Sequence, residues 1–228
     1  MQGIVIQGPT NYYKEVVPIY KDIPNIVWST WEDEPIENIE FIKQHMDVVL
    51  CQKPSFPGYL NINMQTVSTT TGIKYLQEKG VTEILKTRGD IVITNLNTLL
   101  EVLKGKEMAF LAICKEGARI DLYYELIYPH YSHDYPVDLV LYGFTENINN
   151  SFNFITDNYI PVPPESLIAY SFLSSKNIEF KLTYQHFINN NVYFFLKDCV
   201  KHNIELKWIK HNYSNVVEWH NNKINYDF

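Results

Sequence analysis

The chain is poor in the residues that staple or punctuate small folds. Its three cysteines, Cys51, Cys114 and Cys199, are an odd number without a Cys-x-x-Cys pair. Neither a disulfide framework nor a thiolate zinc site is indicated, and a reducing compartment is expected. Glycine is scarce, at 9 in 228 residues. No apolar run reaches the roughly 18 residues needed to span a bilayer. Met1 leads straight into the strand-like Gly3-Ile4-Val5-Ile6 with no signal-peptide pattern before it, so a cytoplasmic location is expected. Positive charge is also short: the net charge of −7 argues against nonspecific nucleic-acid binding as the main task. It leaves room for a nucleotide, which needs only a local basic pocket.

What is present is globular. Hydrophobic residues make up 46% and charged residues 20% of the chain, outside the disordered range and enough for a real core in one large domain or two small ones. Aromatics are heavy, with 17 Tyr, 12 Phe and 4 Trp. They suit surfaces that bind sugars or bases, and equally a Tyr-rich core. There are no internal repeats and no clear interdomain linker.

In order, Gly3 to Ile6 reads as a buried strand closed by the turn residues Gly8-Pro9, and residues 12–21 as a helix. Strands follow at 25–31 and 47–51, with an acidic loop at Glu32-Asp33-Glu34-Pro35 and a helix or turn over 36–45 between them. Lys53 to Tyr59, with two prolines and a glycine, is a loop. Apolar residues at 62, 64, 67, 73 and 76 give helical spacing over 61–80, with amides and hydroxyls on the other face and Gly80 as C-cap. A fourth strand spans 83–87, a helix 96–103 and a fifth strand 108–114. Arg119 to Tyr128 reads as a strand or hairpin, Asp138 to Gly143 as a strand, and Thr145 as a helix start. Pro161 to Tyr170 is a Pro-rich loop entering a helix. The tail reads as a strand near 180–185, a helix or strand at 191–200 and a strand at 204–210, without recognisable chemistry. This β-α alternation, with strands apolar on both faces, predicts an α/β fold: a mainly parallel sheet covered by helices.

Chemistry concentrates in Ile84-Leu85-Lys86-Thr87-Arg88-Gly89-Asp90, where an apolar strand runs into Lys-x-Arg-x-Asp. Ligands of open α/β sheets bind at the carboxyl ends of strands. A lone Asp there can hold a divalent cation with the help of phosphates and water, and Lys86 and Arg88 can add phosphate contacts. The plain alternative is a solvated charge cluster at a strand end, and an integrin-type reading of Arg88-Gly89-Asp90 is weaker because three residues recur by chance. His130, His133 and Asp134 have metal-ligand spacing, but Tyr135-Pro136 and the neighbouring aromatics favour a loop. Glu165 follows Pro164 at a helix start, a placement that the helix dipole alone explains.

Four segments together resemble the WavE-type glycosyltransferases of lipopolysaccharide synthesis, a GT-A-like group. They are Val5-Ile6-Gln7-Gly8-Pro9; Val27-Trp28-Ser29-Thr30-Trp31 with the acids after it; Asn61-x-Asn63-x-Gln65 through Ser68-Thr69 and Gly72-Ile73 to Leu85-Lys86-x-Arg88-x-Asp90; and, more weakly, Asp138 to Gly143 with Pro164-Glu165. The resemblance covers residues 3–170, and the third segment is its most specific part. Met64 departs from it, since members of the family often carry a basic residue there. The resemblance implies a GT-A-like, Rossmann-type sheet with a mixed C-terminal part, forming one glycosyltransferase domain. Residues 1–115 would be its nucleotide-sugar-binding half and 116–228 its acceptor half. Asp90 would match the last acid of the Asp-x-Asp motif, with Arg88 in the first position, and would hold Mg²⁺ or Mn²⁺ bridging the phosphates of a nucleotide sugar such as a UDP-sugar. Gln7, Gly8, Pro9 and Thr10 would lie against base and ribose. Asn63, Gln65, Ser68 and Thr69 would face phosphates or sugar, with Lys86 and Arg88 assisting the metal. Glu165, or else Asp138 or Asp134, would be the general base toward a glycan or glycolipid acceptor.

Two other readings stand beside this one. A sugar nucleotidyltransferase also has an α/β nucleotide-binding sheet, but normally carries a Gly-rich, cationic first loop that Gln7-Gly8-Pro9-Thr10 lacks. A catalytically inactive glycan- or nucleotide-binding module is consistent with the missing first acid and with Met64.

Overall fold

The computed structural model describes residues 1–114, 135–136, 139–155, 164–179, 184–211 and 217. Its centre is a seven-stranded sheet. Along the chain its strands are β1 (Gln2–Gln7), β2 (Ile26–Trp31), β3 (Asp47–Cys51), β4 (Glu83–Arg88), β6 (Met108–Phe110), β9 (Leu141–Phe144) and β10 (Val192–Phe194). Across the sheet they run β10-β6-β9-β4-β1-β2-β3. β1 is parallel to both β2 and β4, β2 to β3 and β6 to β10, while β9 runs antiparallel between β4 and β6. This is the expected α/β architecture: a mainly parallel, helix-covered sheet, with antiparallel pairing toward its C-terminal side.

β1 and β4 are central because their apolar residues are buried on both faces. On one face Ile4, Ile6, Trp28 and Leu85 pack with α1 (Tyr13–Tyr20), α2 (Ile36–Lys43) and α4 (Leu96–Leu103). The buried residues of α4 are Leu96, Leu99, Leu100 and Leu103, one stripe at helical spacing. Each leucine removed from water in this way stabilises the fold by about 1.5–3 kcal/mol. On the other face Val5, Val27 and Ile84 pack under α3 (Ile62–Glu78), α5 (Thr145–Ser151) and α6 (Pro164–Ser175). Helix α3 lies close on the sheet because of Gly72, where a Cβ would come within 2.7 Å of Val5 Cγ1.

Two smaller ribbons complete the described structure. β5 (Ile91–Ile93) pairs antiparallel with β11 (Leu206–Trp208), and β7 (Ile113–Cys114) with β8 (Tyr135–Pro136). The expected strand over 108–114 is therefore two strands. Its sheet pairing ends at Phe110, opposite Leu141 and Phe194, and the chain then joins a separate ribbon. In the tail, α7 (Tyr184–Asn189) is a helix where the end of a strand was expected, and residues 191–200 divide into β10 and α8 (Leu196–Lys201). The possible strand at 119–128 lies outside the described residues, as do His130, His133, Asp134 and Asp138. Cys51 and Cys199 are free and buried, and burial pushes their thiols up to about 11 and about 12.

Candidate functional site

The strand order reverses direction at β1. From β1 the chain moves outward through β2 and β3, then returns by α3 to lay β4 on the other side of β1. At such a switch point the loops leaving the two adjacent strands diverge and open a crevice at their carboxyl ends. A cleft of about 410 Å³ lies there, within the roughly 300–1,000 Å³ range of small-molecule sites. Gln7, Gly8, Pro9, Asn11 and Tyr12 line it after β1, Trp31 and Glu34 after β2, and Lys53 after β3. Leu60, Asn61, Met64 and Gln65 line it at the start of α3, Arg88, Gly89 and Asp90 after β4, and Lys210 from the C-terminal segment.

The two loops that flank the crevice are latched together. Gly89 N–H donates to the Gln7 carbonyl (3.0 Å) and Gly8 N–H to the Ser29 carbonyl (3.1 Å). The Trp28 indole donates to the Gly8 carbonyl (3.0 Å). Gly8 turns the chain at φ +103°, a conformation that costs a side-chain-bearing residue. At Gly89 a Cβ would sit 2.7 Å from the Pro9 carbonyl oxygen and 2.8 Å from the Trp28 ring. Packing therefore explains the glycine of Arg88-Gly89-Asp90. Thr10 is fully buried. Its backbone N–H and its hydroxyl both donate to Glu34 Oε2, and its hydroxyl accepts from Asn38 (2.9 Å). It fixes the loop from behind.

Arg88 and Asp90 form a two-pronged ion pair. Arg88 Nε donates to Asp90 Oδ1 at 2.9 Å and Nη2 to Oδ2 at 3.0 Å. The Trp208 indole donates to Oδ2 at 2.9 Å, and the Arg88 guanidinium lies 5.2 Å from the Trp208 ring centroid. Trp208 arrives through the β5–β11 pairing, which sets it opposite Ile91, and Ile209 N–H donates to the Asp90 carbonyl (2.9 Å). Burial alone would raise the Asp90 carboxyl. The Arg88 charge and the hydrogen bonds from Arg88 and Trp208 outweigh it and hold the group below its ordinary value of 3.8.

A carboxyl whose pKa is lower in the folded than in the unfolded protein contributes stability above its unfolded value, and that contribution is lost as pH falls through the folded value. Asp90→Asn is expected to be less stable than the parent at neutral pH. The difference should shrink as pH falls below about 4, read as two urea-denaturation series across pH. A constant difference down to the most acid point would show that ionised Asp90 is not stabilising.

Of the residues singled out in the sequence, Gln7, Gly8, Pro9, Gln65, Arg88 and Asp90 meet in the cleft. Thr10, Asn63, Ser68, Thr69 and Lys86 are buried and do not line it. Asn63 donates to the Phe56 carbonyl (3.0 Å). Ser68 Oγ lies 2.9 Å from Gln7 Oε1 and so orients the Gln7 amide that faces the cleft. Lys86 sits between Val5 and Leu141 in the sheet, its ammonium 5.7 Å from the Phe152 ring centroid. Glu165 stands in the first turn of α6, partly exposed and outside the lining. Gln65 Oε1 is buried and accepts no hydrogen bond among the described residues. The sequence reading missed Trp208 and Lys210.

The metal role expected of Asp90 does not fit this arrangement. Both carboxylate oxygens already accept N–H bonds, and a guanidinium stands where a cation would bind. Among the described residues no three His, Cys, Asp or Glu side chains are placed to share an ion.

No protein-family model matches the sequence, and no characterised protein matches it. Several solved structures are distantly similar to it. The galactosyltransferase LgtC, solved with donor and acceptor sugar analogues, is 14% identical at a TM-score of 0.45, over 85% of this chain and 73% of that one. A 4-diphosphocytidyl-2C-methyl-D-erythritol synthase is 13% identical at 0.44, over 83% and 94%. A glucose-1-phosphate thymidylyltransferase from Bacillus anthracis is 10% identical at 0.42, over 85% of each. No helix among the described residues is long and apolar enough to cross a membrane.

Proposed function

We propose that the chain is a transferase acting on a nucleotide-diphosphate sugar, and specifically a glycosyltransferase that passes the sugar to a glycan or glycolipid acceptor. The observation that carries this reading is the cleft at the β1–β4 switch point, where Arg88 and Lys210 meet the amides of Gln7 and Gln65. Cations there suit phosphates, and amides suit the hydrogen-bonding edge of a base or a sugar. In the proposed reaction the acceptor hydroxyl attacks the anomeric carbon and the bond from that carbon to the phosphate oxygen breaks. The nucleoside diphosphate leaves with the electron pair, its charge met by Arg88. The acceptor proton passes to a general base; Glu165, the candidate carried over from the sequence, lies outside the cleft lining, so its role rests on the Glu165→Gln test. Mg²⁺ or Mn²⁺ on Asp90 has no part in this scheme, because that carboxylate is committed to Arg88 and Trp208. The first loop, whose Thr10 is buried and whose residues 7–10 carry no cation, favours this reaction over nucleotidyl transfer.

The test separates the readings by product. With a panel of nucleotide-diphosphate sugars, free nucleoside diphosphate is expected to accumulate above the protein-free rate, and faster once an acceptor is found. Release of pyrophosphate from a nucleoside triphosphate plus a sugar phosphate would instead identify a nucleotidyltransferase. Binding without either product would identify an inactive module. Glu165→Gln is expected to slow transfer by about a hundredfold with nucleotide affinity unchanged, since Glu165 lies outside the cleft. A full transfer rate in that variant would remove Glu165 as the base.

A further inference from the structure

We propose that the cleft binds the diphosphate of its nucleotide without a divalent cation, through the Arg88 guanidinium locked by Asp90 and Trp208 together with the ammonium of Lys210. The proposal rests on the nucleotide reading above and deepens it.

Magnesium and manganese require oxygen ligands at about 2.1 Å. Asp90 is largely committed: Oδ2 accepts from both Arg88 Nη2 and Trp208 Nε1, and Oδ1 accepts from Arg88 Nε, which leaves it one lone-pair site beside the guanidinium. An ion bound there would also stand beside the guanidinium, where like charges repel. Among the described residues lining the cleft the other carboxylate is Glu34, whose Oε2 accepts both the N–H and the O–H of Thr10. Its work is to hold a loop.

The cations are arranged in the opposite way. A guanidinium has five N–H donors. Two of them go to Asp90, which leaves three for an anion. The fork to Asp90 and the Trp208 ring fix the plane in which those three lie. Arg88 is thus pre-organised, and a bidentate contact to phosphate loses little side-chain entropy. Lys210 is exposed, lines the same cleft and has no ion-pair partner among the described residues. It is carried there by the β5–β11 pairing and the Ile209-to-Asp90 hydrogen bond, the same contacts that bring Trp208 onto Asp90. One structural event, docking of the C-terminal segment on β5, therefore completes both halves of the clamp.

The experiment is calorimetric titration of UDP, GDP, ADP and CDP into the full chain, once with EDTA and once with Mn²⁺. The proposal expects the best-bound nucleotide to have the same affinity in both, within about threefold. It also expects Lys210→Ala, at an unchanged melting temperature, to weaken binding by about tenfold, the loss of one charge-assisted contact. Its dependence on salt should be shallower than that of the parent. Binding that strengthens more than threefold with Mn²⁺, and loses that gain in Asp90→Asn, would overturn the proposal and leave the nucleotide reading intact. Unchanged affinity in Lys210→Ala would remove Lys210 from the clamp. No binding of any nucleotide in either condition would overturn both the proposal and the reading on which it rests.

Discussion

Trp28→Ala is expected to cost about 3–5 kcal/mol of folding stability and to weaken nucleotide binding with it. Trp28 is fully buried among the residues of one face of the sheet, so truncation leaves a cavity that the neighbouring strands cannot close. Its indole also holds the Gly8 carbonyl, and its ring is the surface against which Gly89 packs. It therefore supports the loops on both sides of the crevice. Trp28→Phe separates the two roles. It retains most of the packing, loses the hydrogen bond to Gly8 and should cost about 1 kcal/mol beyond the change in volume. Urea denaturation gives both values. A loss in Trp28→Ala below about 1 kcal/mol would mean that the site does not depend on this core residue.

Arg88→Ala is expected to weaken nucleoside-diphosphate binding by about a hundredfold, the loss of a two-pronged charged contact. It should also destabilise the fold. Breaking a fully buried pair costs about 3–5 kcal/mol. Arg88 keeps 22% of its side chain exposed, so solvent screening reduces the figure to about 1–3 kcal/mol. The double change Arg88→Ala with Asp90→Asn removes the orphaned charge. Stability should recover in part while binding stays lost, which distinguishes a binding residue from a merely structural one. Arg88→Lys keeps the charge but not the fork and should fall between. Wild-type affinity in Arg88→Ala would show that the ligand lies elsewhere.

Much of the fold was legible in the sequence, for an identifiable reason. β1, β2 and β4 are short apolar runs bounded by Gly, Pro or charged residues, and α4 has an uninterrupted leucine stripe. Local pattern decides such elements. Part of the cleft was legible too, because Gln7-Gly8-Pro9 and Arg88-Gly89-Asp90 are contiguous stretches at strand ends. The rest was not. Trp208 reaches Asp90 across 118 residues of sequence, and no local signal in an apolar, Asn-rich tail announces that β11 will pair with β5. Polar residues misled for a second reason. Helix α3 begins at the carboxyl edge of the sheet, so Asn61, Met64 and Gln65 reach the cleft, whereas Ser68 and Thr69, one turn further on, are buried beneath it. Lys86 lies two residues inside the strand end and is packed in the sheet. Asp90 looked like a metal ligand because the sequence does not show that its nearest cation is Arg88.

A nucleoside diphosphate is expected to occupy the crevice between the loops after β1 and β4. Hydrogen–deuterium exchange with and without a saturating nucleoside diphosphate tests it most directly. Added protection is expected in the loop after β1 (residues 8–12), at the start of α3 (60–65), across 88–90 and in the segment 208–210 that carries Trp208 and Lys210. Protection confined to other parts of the chain, with these four segments unchanged, would contradict it.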